Sequence, residues 1–446
     1  MKVFIRSFGC SANLADGEVL GGCLAEAGFE LVKKMERAEV VVVNTCAVKG
    51  PTENRVIYFL KKVPREKRLI VAGCLPLINF KRLNREVEFD GVAGPACGRK
   101  IVNIVQRVMK GEKVLELKGA TKVKPDLTLP KVKVNPVVGI IPVSYGCLGS
   151  CAYCCVRFAR GHLRSYSVNE ILNQISRDVA AGVHEVWLTS QDMGCYGLDG
   201  RSNLVELLEA VCNLNGNFWV RVGMMNPRFV LLLLDNLVEV FTQRGVEAQT
   251  KKDPSVSEPR KGELFWFLHL PVQSGDDEVL KRMNRRYKAE DFRRIVREFR
   301  KSCPEITVWT DIIVGFPGET DKAFENSMRL IEEVQPDVVN ISKFFTRPHT
   351  AAKKMNNQIP SKVIKERSGK ISRLARQIAL EKNRRWIGWE GQVLIDEKGK
   401  TPESFMGRNL SYKPVVVHSR ENLLGRFLRV RVVDAFLTHL EAEIVN

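Results

Sequence analysis

Three closely spaced cysteines are the residues of this chain best suited to redox chemistry. Cys147, Cys151 and Cys154 stand in the pattern C-x3-C-x2-C, directly after the apolar run Val137-Val-Gly-Ile-Ile-Pro-Val143. Three thiolates can hold three irons of a [4Fe–4S] cluster and leave the fourth iron open to bind and reduce a cofactor. A structural zinc site, with Cys155 or His162 as its fourth ligand, is the alternative. Such sites usually have two paired C-x2-C knuckles, and since no second knuckle follows, the spacing favours a cluster.

A second set of three cysteines follows strand-like segments near the N-terminus. Cys10, Cys46 and Cys74 each lie one or two residues beyond a predicted parallel strand. Because the carboxyl ends of adjacent parallel strands share one edge of a sheet, we expect these thiols to converge. Three thiols without an obvious fourth predict a second cluster with an open iron, and Cys97 is the only local candidate to close it. The alternative is that they are unrelated buried thiols.

The elements that would position these cysteines alternate between strand and helix patterns. Strands are predicted near 3–9, 40–44, 69–73 and 89–94, with helices at 14–27 and 99–109. That order predicts a small doubly wound α/β domain. Residues 137–350 contain about six further βα units, which fit a partial parallel (β/α)6 barrel. After Trp386, short alternating runs separated by Gly and Pro predict a small antiparallel β-barrel.

The predicted fold class is therefore α/β with three folded parts. The expected divisions are an N-terminal domain at 1–110, a basic linker at 111–136, a core domain at 137–383 and a terminal barrel at 384–446, with a surface insertion at 244–262.

Charge and composition narrow the class of partner. The 446 residues include 70 Lys and Arg against 51 Asp and Glu, a net charge of +19, which favours an anionic partner and nucleic acid first. No run of 18 apolar residues predicts a membrane span, and the N-terminus begins with a strand pattern rather than a signal peptide. Twelve cysteines without an export signal indicate metal binding in a reducing cytoplasm.

Several motifs together resemble one known family. Three segments look like the cluster motifs of the radical S-adenosylmethionine (SAM) methylthiotransferases, namely Ser7-Phe-Gly-Cys10-Ser-Ala-Asn13, Val42-Val-Asn-Thr-Cys46-Ala-Val and Val71-Ala-Gly-Cys74-Leu. Four further segments match the catalytic domain of that family in order: Cys147-Leu-Gly-Ser-Cys151-Ala-Tyr-Cys154, Arg160-Gly161, His269-Leu-Pro-Val-Gln-Ser-Gly275 and Asp311-Ile-Ile-Val-Gly-Phe-Pro-Gly-Glu-Thr320. The C-terminal part resembles its RNA-binding TRAM module. Cys155 departs from the pattern, and we interpret it as a packing residue.

The resemblance implies two clusters with different tasks. Cys147, Cys151 and Cys154 would hold the SAM-binding [4Fe–4S] cluster, where reductive cleavage of SAM yields a 5′-deoxyadenosyl radical. Cys10, Cys46 and Cys74 would hold an auxiliary [4Fe–4S] cluster, at which a second SAM methylates the sulfur to be transferred. No catalytic residue is assigned beyond these ligands.

The same resemblance implies a substrate. Segments 159–166, 185–197 and 221–227 look like the archaeal and eukaryotic branch, which adds a methylthio group to C2 of N6-threonylcarbamoyladenosine beside the tRNA anticodon. Isopentenyladenosine in tRNA and a ribosomal-protein aspartate are the alternative substrates, and a non-catalytic RNA-binding iron–sulfur protein is the alternative class. The expected partners are tRNA, an electron donor such as ferredoxin or flavodoxin, and a sulfur source.

Further residues are candidates for cofactor binding. Tyr153 is expected to pack beside the SAM adenine, or else to fill the core. Arg221 ends a strand and is expected to meet the SAM carboxylate, with a surface salt bridge as the alternative. Gly315, Phe316 and Pro317 lie where a barrel strand ends and active-site loops begin, although a plain turn has the same pattern.

Basic residues form the candidate RNA contacts. Arg157 and Arg160 are expected at the barrel mouth, on phosphate or on the threonylcarbamoyl carboxylate. Arg408, Lys413, Arg426 and Arg429 of the terminal barrel would continue an RNA track. This track would also include the basic residues of one helical stretch, namely Lys281, Arg282, Arg285, Arg286, Arg293, Arg294, Arg297, Arg300 and Lys301, and three aromatic residues, Phe405, Tyr412 and Phe427. A solvated helix face and barrel core packing are the respective alternatives.

Overall fold

The computed structural model of the chain describes residues 1–245 and 261–445. Most of the insertion predicted at 244–262 lies outside the described residues. The α/β class is confirmed, with two parallel α/β units and a closed terminal β-barrel.

The N-terminal unit is a six-stranded, fully parallel sheet in the order β2-β1-β3-β4-β5-β6. Its strands are β1 Lys2–Ser7, β2 Glu30–Leu31, β3 Val40–Thr45, β4 Arg68–Gly73, β5 Gly91–Ala93 and β6 Val114–Glu116. Its helices are Ser11–Glu26, Gly50–Lys61, Leu75–Ile78, Phe80–Glu86 and Lys100–Met109. This order confirms the doubly wound prediction. β6 lies in the segment predicted as a linker, because three residues are too few to show a period, and it is held by parallel pairing with β5.

Apolar burial on both faces explains the position of β3. All six of its residues are buried, as in a strand covered by helices on both sides of a parallel sheet. The helix Ser11–Glu26 covers one face and also reaches the central unit. Its Leu14 and Ala15 pack against Val138, Ile140 and Trp187, so Cys10, at the N-terminus of this helix, lies near the central strands.

The central unit consists of two adjoining parallel sheets, one of four strands and one of three, which together form an open barrel. The first contains β7 Val138–Pro142, β10 Glu185–Thr189, β11 Trp219–Val222 and β12 Glu263–Leu264, and the second contains β13 Phe267–His269, β14 Thr307–Val314 and β15 Val338–Lys343. A short antiparallel pair, β8 Ser144–Tyr145 and β9 Arg164–Ser165, lies beside them. The flanking helices are Val156–Arg160, Val168–Ala180, Leu204–Cys212, Pro227–Val230, Leu234–Arg244, Asp277–Arg282, Ala289–Ser302, Asp321–Val334 and Ser361–Arg384.

The break between β12 and β13 is filled by the terminal barrel. Trp266 N donates to Leu410 O at 2.9 Å, and the Tyr412 ring centroid lies 4.8 Å from those of Phe265 and Phe267. Lys413 Nζ donates to Asp337 Oδ1 at 2.7 Å, beside the start of β15. The terminal barrel is therefore packed against the central barrel at the break between β12 and β13 and at the N-terminal end of β15.

Five strands close the terminal barrel in the order β16-β17-β18-β20-β19. They are β16 Glu390–Lys398, β17 Ser404–Arg408, β18 Pro414–His418, β19 Phe427–Ala435 and β20 Leu440–Ile444. The prediction of a purely antiparallel barrel is wrong at one seam, because β18 and β20 pair in parallel. In the described part of the chain, no helix is long and apolar enough to cross a membrane.

Candidate metal-cluster sites

The first cysteine site is a loop between β8 and the helix Val156–Arg160. Gly149 N donates to Cys147 Sγ at 3.3 Å. An ideal Cβ built on Gly149 would lie 3.4 Å from Cys147 Sγ and 3.9 Å from Cys151 Sγ, so this glycine stands between the two sulfurs. Burial raises the pKa of Cys154 well above its usual range, and the thiols of Cys151, Cys155 and Cys147 raise it further. The thiols of Cys147, Cys151 and Cys154 therefore face one another.

Arg285 and Cys195 make two buried contacts with this loop that the sequence did not predict. Arg285 Nη1 donates to Cys151 Sγ at 3.4 Å, while its other donors are held by Pro271 O at 2.7 Å and Tyr287 Oη at 2.7 Å. The pKa of Cys147 is lowered, first because it accepts a hydrogen bond from the Cys195 thiol. Neither residue type nor spacing in the sequence indicated these contacts.

The predicted cofactor residues form a wall near this loop. The Tyr153 ring lies 6.5 Å from that of Phe316, edge to face, and Phe316 is fully buried. Gly315 N donates to Glu319 Oε2 at 2.9 Å, and Arg367 Nη1 donates to the same oxygen at 2.7 Å. The turn at 315–318 is thus fixed from the long helix Ser361–Arg384. Contact between this wall and SAM stays a prediction.

Arg221 lies deeper in the barrel. Its guanidinium carbon is 5.0 Å from the ring centroid of Phe267, 5.1 Å from that of Trp187 and 5.2 Å from that of Tyr412. Its Nε has no hydrogen-bond partner within the described residues. The surroundings are aromatic rather than carboxylate-rich, which rules out a surface salt bridge as its role. The SAM-carboxylate role stays a prediction.

The second cysteine site lies where the sequence places it, beyond the carboxyl ends of β1, β3 and β4. Burial raises the pKa of Cys74 to about 12, a value that also includes a lowering by the charge of Arg160 and smaller increases from the nearby thiols of Cys46 and Cys10. An ideal Cβ on Gly9, next to Cys10, would lie 2.6 Å from Cys46 Cβ. The three predicted thiols therefore converge at one edge of the sheet.

Amide and hydroxyl groups tie the three cysteine loops together. Asn13 Nδ2 donates to Phe8 O at 2.5 Å, and Asn44 Nδ2 donates to Asn13 O at 2.6 Å, which joins the loops of Cys10 and Cys46. Thr45 Oγ1 donates to Ala72 O at 2.6 Å and accepts from Leu75 N at 3.3 Å, which joins the loops of Cys46 and Cys74. Side chains of the strands themselves thus fix the spacing of the thiols.

Cys97, the candidate fourth ligand, does not join this site. It is buried with Cys23 on the opposite face of the sheet, whereas Cys74 belongs to the cluster of buried residues on the other face. The prediction that Cys97 closes this site is therefore wrong, because Cys97 packs with the helix Lys100–Met109 on the face of the sheet opposite to Cys74.

One short helix connects the two sites. Cys155 Sγ donates to Ala47 O at 3.8 Å, and Arg347, which the sequence did not single out, donates to the same carbonyl and to Glu53. At the other end of the helix, Arg160 reaches Asn13 and Asp16 in the helix that begins directly after Cys10. Cys154 therefore completes the first site, while Cys155 packs into the N-terminal core.

Several predicted RNA contacts are buried and paired. Arg160 is 2% exposed and donates to Asp16 Oδ2 at 2.5 Å, Arg408 Nε donates to Asp396 Oδ2 at 3.1 Å, and Lys413 is bound to Asp337. These three predictions are wrong, because each charge is taken up by an ion pair: Arg160 and Lys413 pair with another domain, and Arg408 pairs with the neighbouring strand of its own barrel. Arg157, Arg426 and Arg429 keep exposed side chains near His162, Glu421 and Glu390, respectively.

The basic stretch at 281–301 is also not a continuous track. Arg285 is buried at the first cysteine site, Arg293 pairs with Glu333, and Arg300 donates to Val334 O and Gln335 O. The aromatic candidates of the terminal barrel serve packing as well: Phe405 and Tyr412 are buried, and Phe427 packs on Trp219. The stacking prediction is wrong for these rings.

Both donor sets consist of thiols, the soft ligands that iron–sulfur clusters use. Among the described residues, no group of three or more His, Cys, Asp or Glu lies close enough to share one metal ion. Two sets of three converging thiols suit two [4Fe–4S] clusters.

Comparisons with known proteins agree with this geometry. Residues 2–94 match the model of the uncharacterized protein family UPF0004, and residues 258–331 match that of the radical SAM superfamily. The fold is similar to a radical S-adenosylmethionine methyltransferase from Kitasatospora setae, with a TM-score of 0.55 at 14% identity over 79% of this chain and 74% of that chain. The fold and the cysteine loop at its barrel thus define a radical SAM protein.

Full-length relatives narrow the class to one family. The chain is 39% identical over 448 residues to a protein of Pyrococcus horikoshii named as a probable threonylcarbamoyladenosine tRNA methylthiotransferase, with all of both chains covered. It is 33% identical to the threonylcarbamoyladenosine tRNA methylthiotransferase of Homo sapiens, over 97% of this chain and 72% of that protein. The chain belongs to the threonylcarbamoyladenosine tRNA methylthiotransferase family. The cofactors of this chain are therefore SAM and [4Fe–4S] clusters.

Proposed function

We propose that this protein adds a methylthio group to C2 of N6-threonylcarbamoyladenosine beside the anticodon of tRNA. The observation that carries the proposal is the pair of thiol triads connected by the helix Val156–Arg160. An aromatic C–H offers neither a leaving group nor an acidic proton, so acid–base side chains alone cannot start this reaction. Two cofactor sites on one chain, within the reach of one short helix, meet that requirement.

Cys147, Cys151 and Cys154 would hold the SAM-binding cluster, and Cys10, Cys46 and Cys74 the auxiliary cluster. When bound, these groups supply the electron that cleaves SAM and the sulfur that is transferred. Gly149 N donates to Cys147 Sγ and Arg285 Nη1 donates to Cys151 Sγ, which would hold these two sulfurs in place as ligands. Phe316 and Tyr153 close one side of the loop with apolar surface, which excludes water from a reactive radical.

The exposed basic residues mark the proposed tRNA path. The helix Ser361–Arg384 and the residue that follows it present a row of exposed cations, Lys362, Lys365, Lys370, Arg373, Arg376, Arg384 and Arg385. Arg426 and Arg429 extend this charge over the terminal barrel, and Arg157 adds a cation close to the first cysteine loop. Neutralisation of phosphates by such side chains gives affinity without sequence information. We also propose a ferredoxin- or flavodoxin-type electron donor, a separate sulfur source and a location in the cytoplasm.

The substrate assignment is tested with matched tRNA transcripts. Anaerobically reconstituted protein is given SAM, a reductant and a sulfur source with transcripts that carry unmodified adenosine, threonylcarbamoyladenosine or isopentenyladenosine, and nucleosides are measured by mass spectrometry. We expect a methylthiolated product only from the threonylcarbamoyl transcript. A protein with Cys10, Cys46 and Cys74 changed to Ala serves as the control, and should cleave SAM without forming product.

Two results would contradict the assignment. Equal turnover with and without the threonylcarbamoyl group, or turnover only on isopentenylated tRNA, would refute the substrate. Absence of SAM cleavage by fully reconstituted protein would instead favour a non-catalytic iron–sulfur protein.

A further inference from the structure

Arg160 carries a buried guanidinium with one unused donor group. It is 2% exposed, and its Nη2 donates to Asp16 Oδ2 at 2.5 Å and to Asn13 Oδ1 at 3.1 Å. Its Nη1 is buried and has no hydrogen-bond partner in the described part of the chain. A buried charged donor left unpaired is costly, so such a group in a folded protein calls for a ligand.

The surroundings of Arg160 limit what that ligand can be. The Tyr145 ring covers one face of the guanidinium, with its centroid 4.8 Å from Cζ, and Tyr145 Oη donates to Asp16 Oδ1 at 2.7 Å. Burial raises the pKa of Cys74 and Cys46, and the positive charge of Arg160 opposes that rise at both thiols. The guanidinium therefore lies close to both thiols. One face and one edge are thus occupied, and sulfur lies nearby.

We propose that Arg160 Nη1 donates a hydrogen bond to a sulfur atom of the group held by Cys10, Cys46 and Cys74, and raises the reduction potential of that group. The inference rests on the proposed function, which assigns a [4Fe–4S] cluster to these thiols. Net charge and hydrogen bonds to sulfur set cluster potentials, and a cationic donor stabilises the more negative, reduced form. Arg160 is therefore a positioning residue that acts on the second site from the helix following the first.

The helix supplies the reason that this residue can couple the two sites. Cys154 and Arg160 are separated by five residues, most of them in the helix Val156–Arg160, which also packs against the helix Leu75–Ile78 behind Cys74. A rearrangement of the first loop on SAM binding would move the donor at the second site. Distance between the clusters need not change for such coupling.

The test measures the auxiliary cluster alone. In a parent protein with Cys147, Cys151 and Cys154 changed to Ala, only the second site can assemble a cluster, and its midpoint potential is obtained by a redox titration followed by electron paramagnetic resonance. Arg160→Met should reduce the equilibrium constant for reduction at least tenfold, a shift of about 59 mV to lower potential for one electron. Asp16→Asn leaves the guanidinium charge uncompensated and should shift the potential upward.

Arg160→Lys guards against a failure of the Met variant to fold. The lysine keeps a cation for Asp16. A single ammonium group, however, cannot replace the two separate nitrogens of the guanidinium, one of which binds the carboxylate while the other faces the sulfur, so the potential should still fall. Arg157→Met, on the same helix but with an exposed side chain, should leave the potential unchanged.

The outcomes separate this inference from the proposed function. An unchanged potential in the Arg160 variants, or shifts of the same sign for Arg160→Lys and Asp16→Asn, would overturn the role of Arg160. A parent protein that binds no iron at the second site would overturn the proposed auxiliary cluster itself.

Discussion

Substitution of Gly9 by Ala tests whether the second thiol site holds a cluster. Gly9 has a φ of +115° and its added Cβ would lie 2.6 Å from Cys46 Cβ and 3.0 Å from Cys46 Sγ. Carbon atoms pack best at about 3.5–4.0 Å, so Cys46 or the Gly9 loop must move by roughly 1 Å. Metal sites tolerate ligand displacements of about 0.2 Å, so the expected movement exceeds that tolerance several-fold.

The matched control is Gly28→Ala. Gly28 has a φ of +85°, and nothing lies within 4 Å of its added Cβ. Both substitutions should lower the free energy of unfolding by about 1–2 kcal/mol through backbone strain. Only Gly9→Ala should also displace a thiol, because only its Cβ meets Cys46.

The assay is iron and sulfide content after anaerobic reconstitution, together with SAM cleavage. We expect about eight irons per chain for Gly28→Ala and about four for Gly9→Ala, with SAM cleavage retained but no methylthiolated product. Eight irons in the Gly9 variant would refute the reasoning, as would an equal loss of iron in both variants.

Four further predictions follow from other parts of the molecule. Changing Cys147, Cys151 and Cys154 to Ala should remove about half of the iron and all SAM cleavage. Changing Cys10, Cys46 and Cys74 to Ala should remove the other half of the iron and leave SAM cleavage without methylthiolated product; an unaltered absorption spectrum would contradict the auxiliary cluster. Lys413→Met leaves buried Asp337 with Lys382 alone, so it removes one of two partners and should cost about 1–3 kcal/mol in urea unfolding, against no change for exposed Lys398→Met; equal midpoints would argue against the ion pair. Burial, and after it the nearby carboxyl of Asp396, raises the pKa of Glu185 to about 8, so the folded protein binds more protons than the unfolded chain between about pH 4.5 and 8. Stability should therefore fall as pH rises through that window, and Glu185→Gln should flatten the dependence of the melting temperature on pH; an unchanged dependence would contradict the raised pKa. Changing Arg426 and Arg429 to Ser should weaken tRNA binding and reduce its salt slope by about 2, with SAM cleavage intact; an unchanged slope would place the tRNA elsewhere.

Substitution of Arg426 and Arg429 tests the tRNA contacts of the terminal barrel better than deletion of residues 386–446 would. In the structure, Leu410 and Tyr412 pack into the central barrel, and Lys413 neutralises Asp337. Deletion would therefore damage the catalytic domain as well as the tRNA contacts.

Local pattern was sufficient to predict the two thiol sites. Cys10, Cys46 and Cys74 follow short apolar strands, and the rule that parallel strands end at one edge predicts their convergence without knowledge of side chains. The loop at 147–154 is informative because its spacing is entirely local. Strand order and spacing therefore predicted where the thiols converge, whereas their assignment as cluster ligands came from the family resemblance and stays a prediction.

Long-range charge pairing was not predictable in this way. Arg160, Arg285 and Lys413 look alike in the sequence as basic residues, yet each is buried against a partner from a distant segment. Which cation is buried depends on how the domains dock, and a surface Arg has the same sequence signature as a buried one. The contact of Cys195 with Cys147 depends on the same tertiary arrangement.

The docking of the terminal barrel sets an order of events during synthesis. Asp337 must wait for Lys413, 76 residues later in the chain, and Trp266 N waits still longer for Leu410 O. At roughly 5–20 residues per second, Lys382 follows Asp337 after about 2–9 s and Lys413 follows it after about 4–15 s, so the second cation of this carboxylate arrives last. The N-terminal sheet pairs all of its strands within the first 116 residues, so it can form earlier. A premature stop before Leu410 would thus leave a central barrel in which Trp266 N has lost its acceptor and Asp337 has lost Lys413.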